Sequence, residues 1–423
     1  MKLHVKCEKF FRSTKNMMRP IRLAILFDQQ LRVGGGYQQA LNAAVMVRSL
    51  PKDLVEPIYF TTLRENLETL ADLGINAKLL EWNVIGRTLV RLRTWLGNHV
   101  SLKIFKIFQK INNFEIIFKK NNIDLIYFLS PSAYARSLEE INYIITVWDL
   151  CHRDDPEFPE VRWNREFEGR ESNYKAILPR AVAVLVDSDL GKQNVMMRYG
   201  IDDSRVHVMP FEPASGIRIG SPNRNEKYVD IKIKYDLNVP YIFYPAQFWA
   251  HKNHVYLLEG LKELEVKYGI KVGVIFSGGD KGNKPYVAQY ALNLGLSERV
   301  RYAGFVSDTE MGHLYKQSFA LVMPTYFGPT NLPPLEAFEL GVPVLYSDKA
   351  GLREQVAEAG LLMDLKNPSS MAKQLFRLWS EPNLRMELIK SGCEKLACLN
   401  KFDRSIILRK IIEDFYWRRL TWG

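Results

Sequence analysis

The sequence predicts an α/β protein built as two parallel-sheet domains in tandem. Short apolar runs alternate with longer amphipathic stretches along nearly the whole chain, the pattern of strands joined by crossover helices. The alternation breaks once, around 212–234, where Pro213, Gly216, Gly220, Pro222 and Asn223 mark a linker. The chain has 423 residues, enough for two separate cores.

The first series opens with a strand at 22–27, a loop at 28–36 and a helix at 37–50. Strands follow at 55–60, 75–80, 123–128, 141–147 and 181–186, with helices at 165–178 and 190–199. The second series places strands at 241–245, 272–276, 300–303, 319–323 and 344–346, then helices at 369–379, 383–397 and 403–418. The expected organisation is a basic leader (1–20), a first domain (21–212), a linker (213–236), a second domain (237–398) and a terminal helix (399–423).

Hydrophobic residues make up 47% and charged residues 25%, the balance of a folded protein rather than a disordered one. The four cysteines (Cys7, Cys151, Cys393, Cys398) have neither metal-ligand spacing nor a disulfide framework, which points to a reducing, cytoplasmic setting. No apolar run has the length of a membrane span, and residues 1–20 lack the apolar centre of a secretory signal.

The net charge of +11 calls for an anionic partner. Between Arg87 and Lys120 eight cations are interleaved with Trp95, Phe105 and Phe108, and only Glu115 opposes them. A basic amphipathic segment of this kind suits an anionic membrane surface; the alternative is a helix that packs its apolar side on the domain. Nucleic acid is not expected, because no stacking platform or recognition module accompanies the charge.

The richest stretch is 327–344, FGPTNLPPLEAFELGVPV. It follows a buried strand with a tight polar turn, Gly328, Pro329, Thr330 and Asn331, then prolines suited to the first turn of a helix, then Gly341 to end that helix. A helix N-terminus at the C-terminal edge of a parallel sheet suits a diphosphate, and Glu336 in that helix can accept hydrogen bonds from sugar hydroxyls. An ordinary strand–helix crossover that binds nothing shares the same local pattern.

Leu335-Glu336-Ala337 and Gly341-Val342-Pro343-Val344 resemble the donor-binding signature of the GT4 family of retaining glycosyltransferases, which have the GT-B fold. The FGPTN form resembles a branch found in bacterial surface-polysaccharide enzymes. The family's first glutamate would fall at 328, where this chain has Gly328. The resemblance implies two Rossmann-like domains facing a cleft, with a late helix crossing back onto the first domain. It implies a nucleotide-diphosphate sugar as co-substrate and no metal.

Further positions take roles from the same resemblance. Gly34, Gly35 and Gly36 match a glycine loop over the donor phosphates; the third glycine of a dinucleotide fingerprint is replaced by Gln39, so NAD is not expected. Lys252 matches a lysine on the donor diphosphate, where a cation stabilises the leaving charge, and Gln247 stands where arginine is usual. Trp148 fills a histidine position, Asp149 matches an aspartate that can orient an acceptor hydroxyl, and His152 is expected to approach from the same loop. Gly278 and Phe305 sit after strands, at positions suited to the nucleotide pocket.

The implied function is transfer of a hexose, of mannose or rhamnose type, to a lipid-linked or lipopolysaccharide/O-antigen glycan at the inner face of the cytoplasmic membrane. Other readings are an epimerase or phosphorylase of the same fold, a basic nucleic-acid-binding protein, or a silent scaffold. Release of bound polyanion with salt, set against sugar-nucleotide binding, separates the nucleic-acid reading from the first, and donor binding without turnover marks the scaffold.

Overall fold

The central strands are apolar on both faces because helices cover both sides of each sheet. Leu125–Phe128, Ala183–Val186 and Ala320–Met323 are buried at every residue. A computed structural model describes residues 19–31, 36–81, 113–213 and 228–422.

The first sheet contains β1 (Ile21–Phe27), β2 (Val55–Thr61), β3 (Ala77–Leu79), β4 (Leu125–Phe128), β5 (Asn142–Thr146), β6 (Ala183–Val186) and β7 (Val206–Val208). Its seven strands lie in the order β3-β2-β1-β4-β5-β6-β7, all parallel. The second contains β8 (Tyr241–Pro245), β9 (Gly273–Ser277), β10 (Val300–Gly304), β11 (Ala320–Met323), β12 (Val344–Ser347) and β13 (Gly360–Met363). Its six strands lie in the order β10-β9-β8-β11-β12-β13, also all parallel. In each sheet the order reverses beside the first strand of the series. That is the switch point where open α/β sheets bind ligands at their C-terminal ends.

Two strands lie beyond the expected set. β7 and β13 are short edge strands, each following a turn with no long apolar run. The linker is also shorter than expected on its far side: Ile231–Lys234 forms a helical turn, Asp230 caps it by accepting from the Ile233 N–H, and Ile231 is buried in the second core.

The last helix, Arg404–Arg419, crosses back onto the first domain. Leu408, Ile411, Ile412 and Phe415 join the core beneath β1 and β4. Each such side chain contributes about 1.5–3 kcal/mol of burial. Arg404 fastens the crossing: its Nε donates to the Pro210 carbonyl at 2.7 Å and its Nη1 to Glu212 Oε1 at 2.9 Å.

Most of the basic segment 87–120 lies outside the described residues. Its described end, Asn113–Lys120, is a helix whose Phe114 and Phe118 are fully buried. Glu115 accepts from the backbone N–H groups of Glu139, Glu140 and Ile141. Here the apolar side faces the domain core, so this turn offers no membrane face. Among the described residues no helix is long and apolar enough to cross a membrane.

Candidate active site

The loops that follow β8 and β11 meet at the C-terminal edge of the second sheet. After β8, Trp249 leads into the short turn Ala250–Lys252, and Asn253 adopts a left-handed conformation (φ 55°) before helix His254–Tyr268. Asparagine tolerates that region better than most residues. Lys252 Nζ donates to Asn331 Oδ1 at 3.3 Å. Asn331 is held in turn: its Nδ2 donates to the Phe327 carbonyl at 3.1 Å and to the Tyr346 hydroxyl at 2.8 Å, and its backbone N–H donates to Gln355 Oε1 at 2.9 Å. These contacts turn the amide oxygen toward the lysine. Burial pulls the Lys252 ammonium down to about 8.

Helix Leu332–Glu339 starts at this loop, with prolines in its first turn. Glu336 is 9% exposed, and the fully buried Tyr315 hydroxyl donates to its Oε2 at 2.7 Å. Burial pushes the carboxyl up to about 7 despite that hydrogen bond, and Asp308 adds to the rise. Gly341 has φ +67° just past the helix, a conformation that favours glycine.

Gly278 is placed by close approach: with φ +143°, a Cβ there would lie 2.4 Å from the Ala246 carbonyl oxygen. It packs the β9 loop against the loop carrying Gln247, whose Oε1 accepts from Trp249 Nε1 at 3.0 Å. Phe305, after β10, is 79% exposed. Gly36 opens helix Gly36–Val47, and a Cβ there would meet the Trp148 ring at 2.7 Å. Gly34 and Gly35 lie outside the described residues.

The first domain meets this edge through the loops after β5 and β6. The Cys151 thiol donates to the Gly328 carbonyl at 2.7 Å, and the Gly328 N–H points back to Sγ at 3.3 Å. The Thr330 hydroxyl donates to Asp187 Oδ2, whose carboxyl burial raises to about 7. Lys349 Nζ bonds Asp155 Oδ2 and donates to the Tyr326 carbonyl at 2.8 Å. Glu160 accepts from the His251 backbone N–H at 2.9 Å and binds its Nδ1. The His251 ring stacks on Phe327 at 3.9 Å between centroids. A cavity between the domains is lined by Trp148, Asp149, Asp187, Tyr326, Gly328 and Lys349.

His152 does not approach this cavity, contrary to the sequence expectation. Its ring is 0% exposed, its Nε2 pairs with Glu171 at 2.9 Å, and Phe167 and Tyr174 pack around it. The loop turns into a short helix at Cys151–Asp154, and that turn points the side chain inward. Asp149 does line the cavity, but its Oδ1 accepts from Arg170 at 2.6 Å and from the Cys151 N–H at 2.9 Å. Burial raises its pKa, and the Arg170 guanidinium more than reverses this, leaving it below the ordinary value. Asp149 is therefore a held carboxylate and a weak base. Among the described residues no three His, Cys, Asp or Glu side chains gather in a metal-binding group.

Glu160, Lys349 and Tyr315 were missed by sequence reasoning. Each acts through a partner far along the chain, and nothing local distinguishes any of them from surface or core residues.

Two outcomes test this geometry. Gly328→Glu, which restores the family's usual residue, is expected to destabilise, because even a Cβ would lie 2.4 Å from Leu352 Cδ2. The cost should be about 1–3 kcal/mol, a fall of a few degrees in Tm by calorimetry. Glu160→Ala strips both His251 donors of their partner and should weaken the domain contact by about 1–3 kcal/mol. Small-angle scattering should then show a larger radius of gyration; an unchanged profile would mean that Glu160 does not hold the domains together.

Two parallel-sheet domains, a facing cleft and a returning helix define the GT-B fold. More particularly, residues 230–395 match the family described as Glycosyl transferases group 1. The chain is 26% identical over 265 residues to a D-inositol 3-phosphate glycosyltransferase of Nocardiopsis dassonvillei, covering 59% of this chain and 58% of that protein. It is 25% identical over 229 residues to O-antigen chain mannosyltransferase B of Escherichia coli, covering 54% of this chain and 59% of that protein. The chain thus spans somewhat more than half the length of these curated relatives. In structure it is similar to Anabaena HepE, solved in complex with UDP-glucose, with a TM-score of 0.65, 15% identity and coverage of 94% of this chain and all of that one.

Proposed function

We propose that this protein is a retaining glycosyltransferase that moves a hexose from a nucleotide-diphosphate donor to a glycan acceptor of the lipid-linked or lipopolysaccharide kind. The observation that carries the reading is the Lys252–Asn331 pair at the mouth of the helix that bears Glu336. A cation, a polar loop and a buried carboxylate follow the ends of β8 and β11, and this reading assigns the first two to the diphosphate and the third to the ribose. The UDP-glucose complex of HepE and the O-antigen mannosyltransferase relative favour the same donor and acceptor classes.

In this reading the diphosphate lies against Lys252 and the Gly328–Asn331 loop, and Glu336 accepts from the ribose hydroxyls. The acceptor hydroxyl attacks the anomeric carbon from the face the phosphate leaves. The bond from that carbon to the phosphate oxygen breaks, and the departing oxygen takes the acceptor's proton. Lys252 stabilises the charge that grows on the diphosphate. Closure of the two domains excludes water from the cavity. Peripheral attachment to an anionic bilayer through the basic segment 87–120 belongs to this reading, supported by the cations and aromatics that precede the helix Asn113–Lys120.

A thermal-shift panel of nucleotide sugars tests it. One donor should raise Tm, with about 2.7 kcal/mol gained at a hundredfold excess over Kd. The rise should vanish in Lys252→Ala and Glu336→Ala. Equal shifts in all three proteins would remove the donor site from this face.

A further inference from the structure

The hydrogen bonds behind Lys252 form a chain whose direction is fixed by the backbone. Gln355, in helix Leu352–Val356, meets the main chain of Asn331 twice. Its Oε1 accepts from the Asn331 N–H at 2.9 Å, and its Nε2 donates to the Asn331 carbonyl at 2.5 Å. A backbone N–H only donates and a backbone carbonyl only accepts, so the Gln355 amide has a single orientation. Its Oε1 also takes the Tyr346 hydroxyl proton at 2.9 Å. Tyr346 lies in β12, is 0% exposed, and has one proton to give. Having given it to Gln355, the hydroxyl accepts from Asn331, whose Nδ2 donates to it at 2.8 Å. The other Nδ2 proton goes to the Phe327 carbonyl at 3.1 Å. With both amide protons engaged, Oδ1 is the end that meets Lys252 Nζ, at 3.3 Å.

The lysine is held at its main chain as well, because the buried Tyr244 hydroxyl donates to the Lys252 carbonyl at 2.8 Å. The last acceptor in the chain is neutral. A carboxylate at position 331 would neutralise the ammonium, whereas an amide oxygen orients it and leaves its charge for an incoming anion. Lys252, Asn331, Tyr346 and Gln355 all belong to the second domain, so the arrangement needs nothing from the first.

We propose that Gln355 and Tyr346 are positioning residues for the donor: through Asn331 they aim the Lys252 ammonium at the diphosphate without touching the donor themselves. The proposal rests on the glycosyltransferase reading for the identity of the anion.

The groups around the ammonium titrate away from its own range. Asp149, Cys151 and Glu160 act on Lys252 from the first domain, and His251 and His254 flank it in the chain. Burial raises Asp149 and Glu160, and their bonds to Arg170 and His251 more than reverse the rise. Burial pushes the Cys151 thiol well up and holds the two rings down, to about 4 for His251 and about 3 for His254. Asp187, which acts on Tyr346, and Glu336 are raised by burial to about 7 and shape the acid side.

Two measurements test the proposal. NMR titration of the Lys252 ammonium, assigned by its loss in Lys252→Ala, needs no donor. Tyr346→Phe removes the hydroxyl and Gln355→Met the amide, and either frees Asn331 to turn. The lysine midpoint should fall below the native one in both, because the charged form loses its acceptor. Kinetics with UDP-glucose or GDP-mannose, whichever raises Tm, give the second readout. The donor KM should rise about three- to tenfold in each variant, and its alkaline limb should begin at lower pH. In a Lys252→Ala background the same substitutions should cost less than about twofold more, since the group they aim is gone. A lysine midpoint unmoved in both variants, or losses that multiply fully with that of Lys252→Ala, would overturn the proposal and leave the chain a role in the fold alone. Lys252→Ala that binds donor as well as the native protein would instead count against the donor reading, and the ammonium titration would still decide whether the chain sets the lysine.

Discussion

Replacing Lys252 with alanine is expected to lower kcat/KM for the sugar nucleotide by roughly 10²–10³-fold, about 3–4 kcal/mol of transition-state stabilisation. The size follows from its surroundings. The ammonium stands at the helix mouth, oriented by Asn331 at 3.3 Å, and burial has already brought it down to about 8. A charge so poorly solvated interacts strongly with a diphosphate that arrives beside it. The same burial sets a pH dependence. A lysine with a lowered pKa is charged below that value and neutral above it, so the KM for donor should rise as pH climbs past about 8 in the native enzyme. In Lys252→Ala that alkaline limb should be missing. Steady-state kinetics from about pH 6 to about pH 9 read both effects. A native profile with no alkaline limb would show that another group carries the diphosphate.

How much of this was legible beforehand depends on the distance over which each residue acts. β4 and β11 were readable because burial on both faces leaves an unbroken apolar run. β7 and β13 were not, because His207 interrupts the apolar run of the first and the second is buried only at alternate residues. The turn at Gly328–Asn331 and the helix after it were readable, since glycine, prolines and a stop signal all fall within one segment. The reach of Lys252 to Asn331 spans 79 residues, and Glu160 to His251 spans 91. No local periodicity encodes such pairings; they exist only once two sheets have brought their strand ends together. His152 shows the converse error. It is adjacent in sequence to the cavity-lining Cys151, but one turn of helix rotates it into Glu171, so nearness along the chain misled.

The second large effect is expected at Glu336, where affinity and stability should move in opposite directions with pH. Its carboxyl sits at about 7 against an ordinary 4.5, because burial outweighs the Tyr315 hydrogen bond and Asp308 adds to the rise. The folded protein therefore holds a proton between those values that the unfolded chain has released. Stability contributed by this group is present below about 4.5 and is lost as pH rises through about 7, a difference of about 3 kcal/mol. Ribose hydroxyls, however, need the ionised carboxylate as acceptor. Donor affinity should thus be full above about 7 and fall by up to tenfold per unit below it. Glu336→Gln removes the ionisation while keeping the shape. At about pH 8 it should raise Tm without donor, because no buried charge remains to be desolvated. It should also weaken donor binding by about 10–100-fold, at about 1.4 kcal/mol per tenfold, and flatten the acid limb. Calorimetry with and without donor at two pH values measures both changes. A glutamine variant that is less stable at alkaline pH, yet binds donor as well as the native protein, would mean that this carboxylate serves the fold and not the ligand.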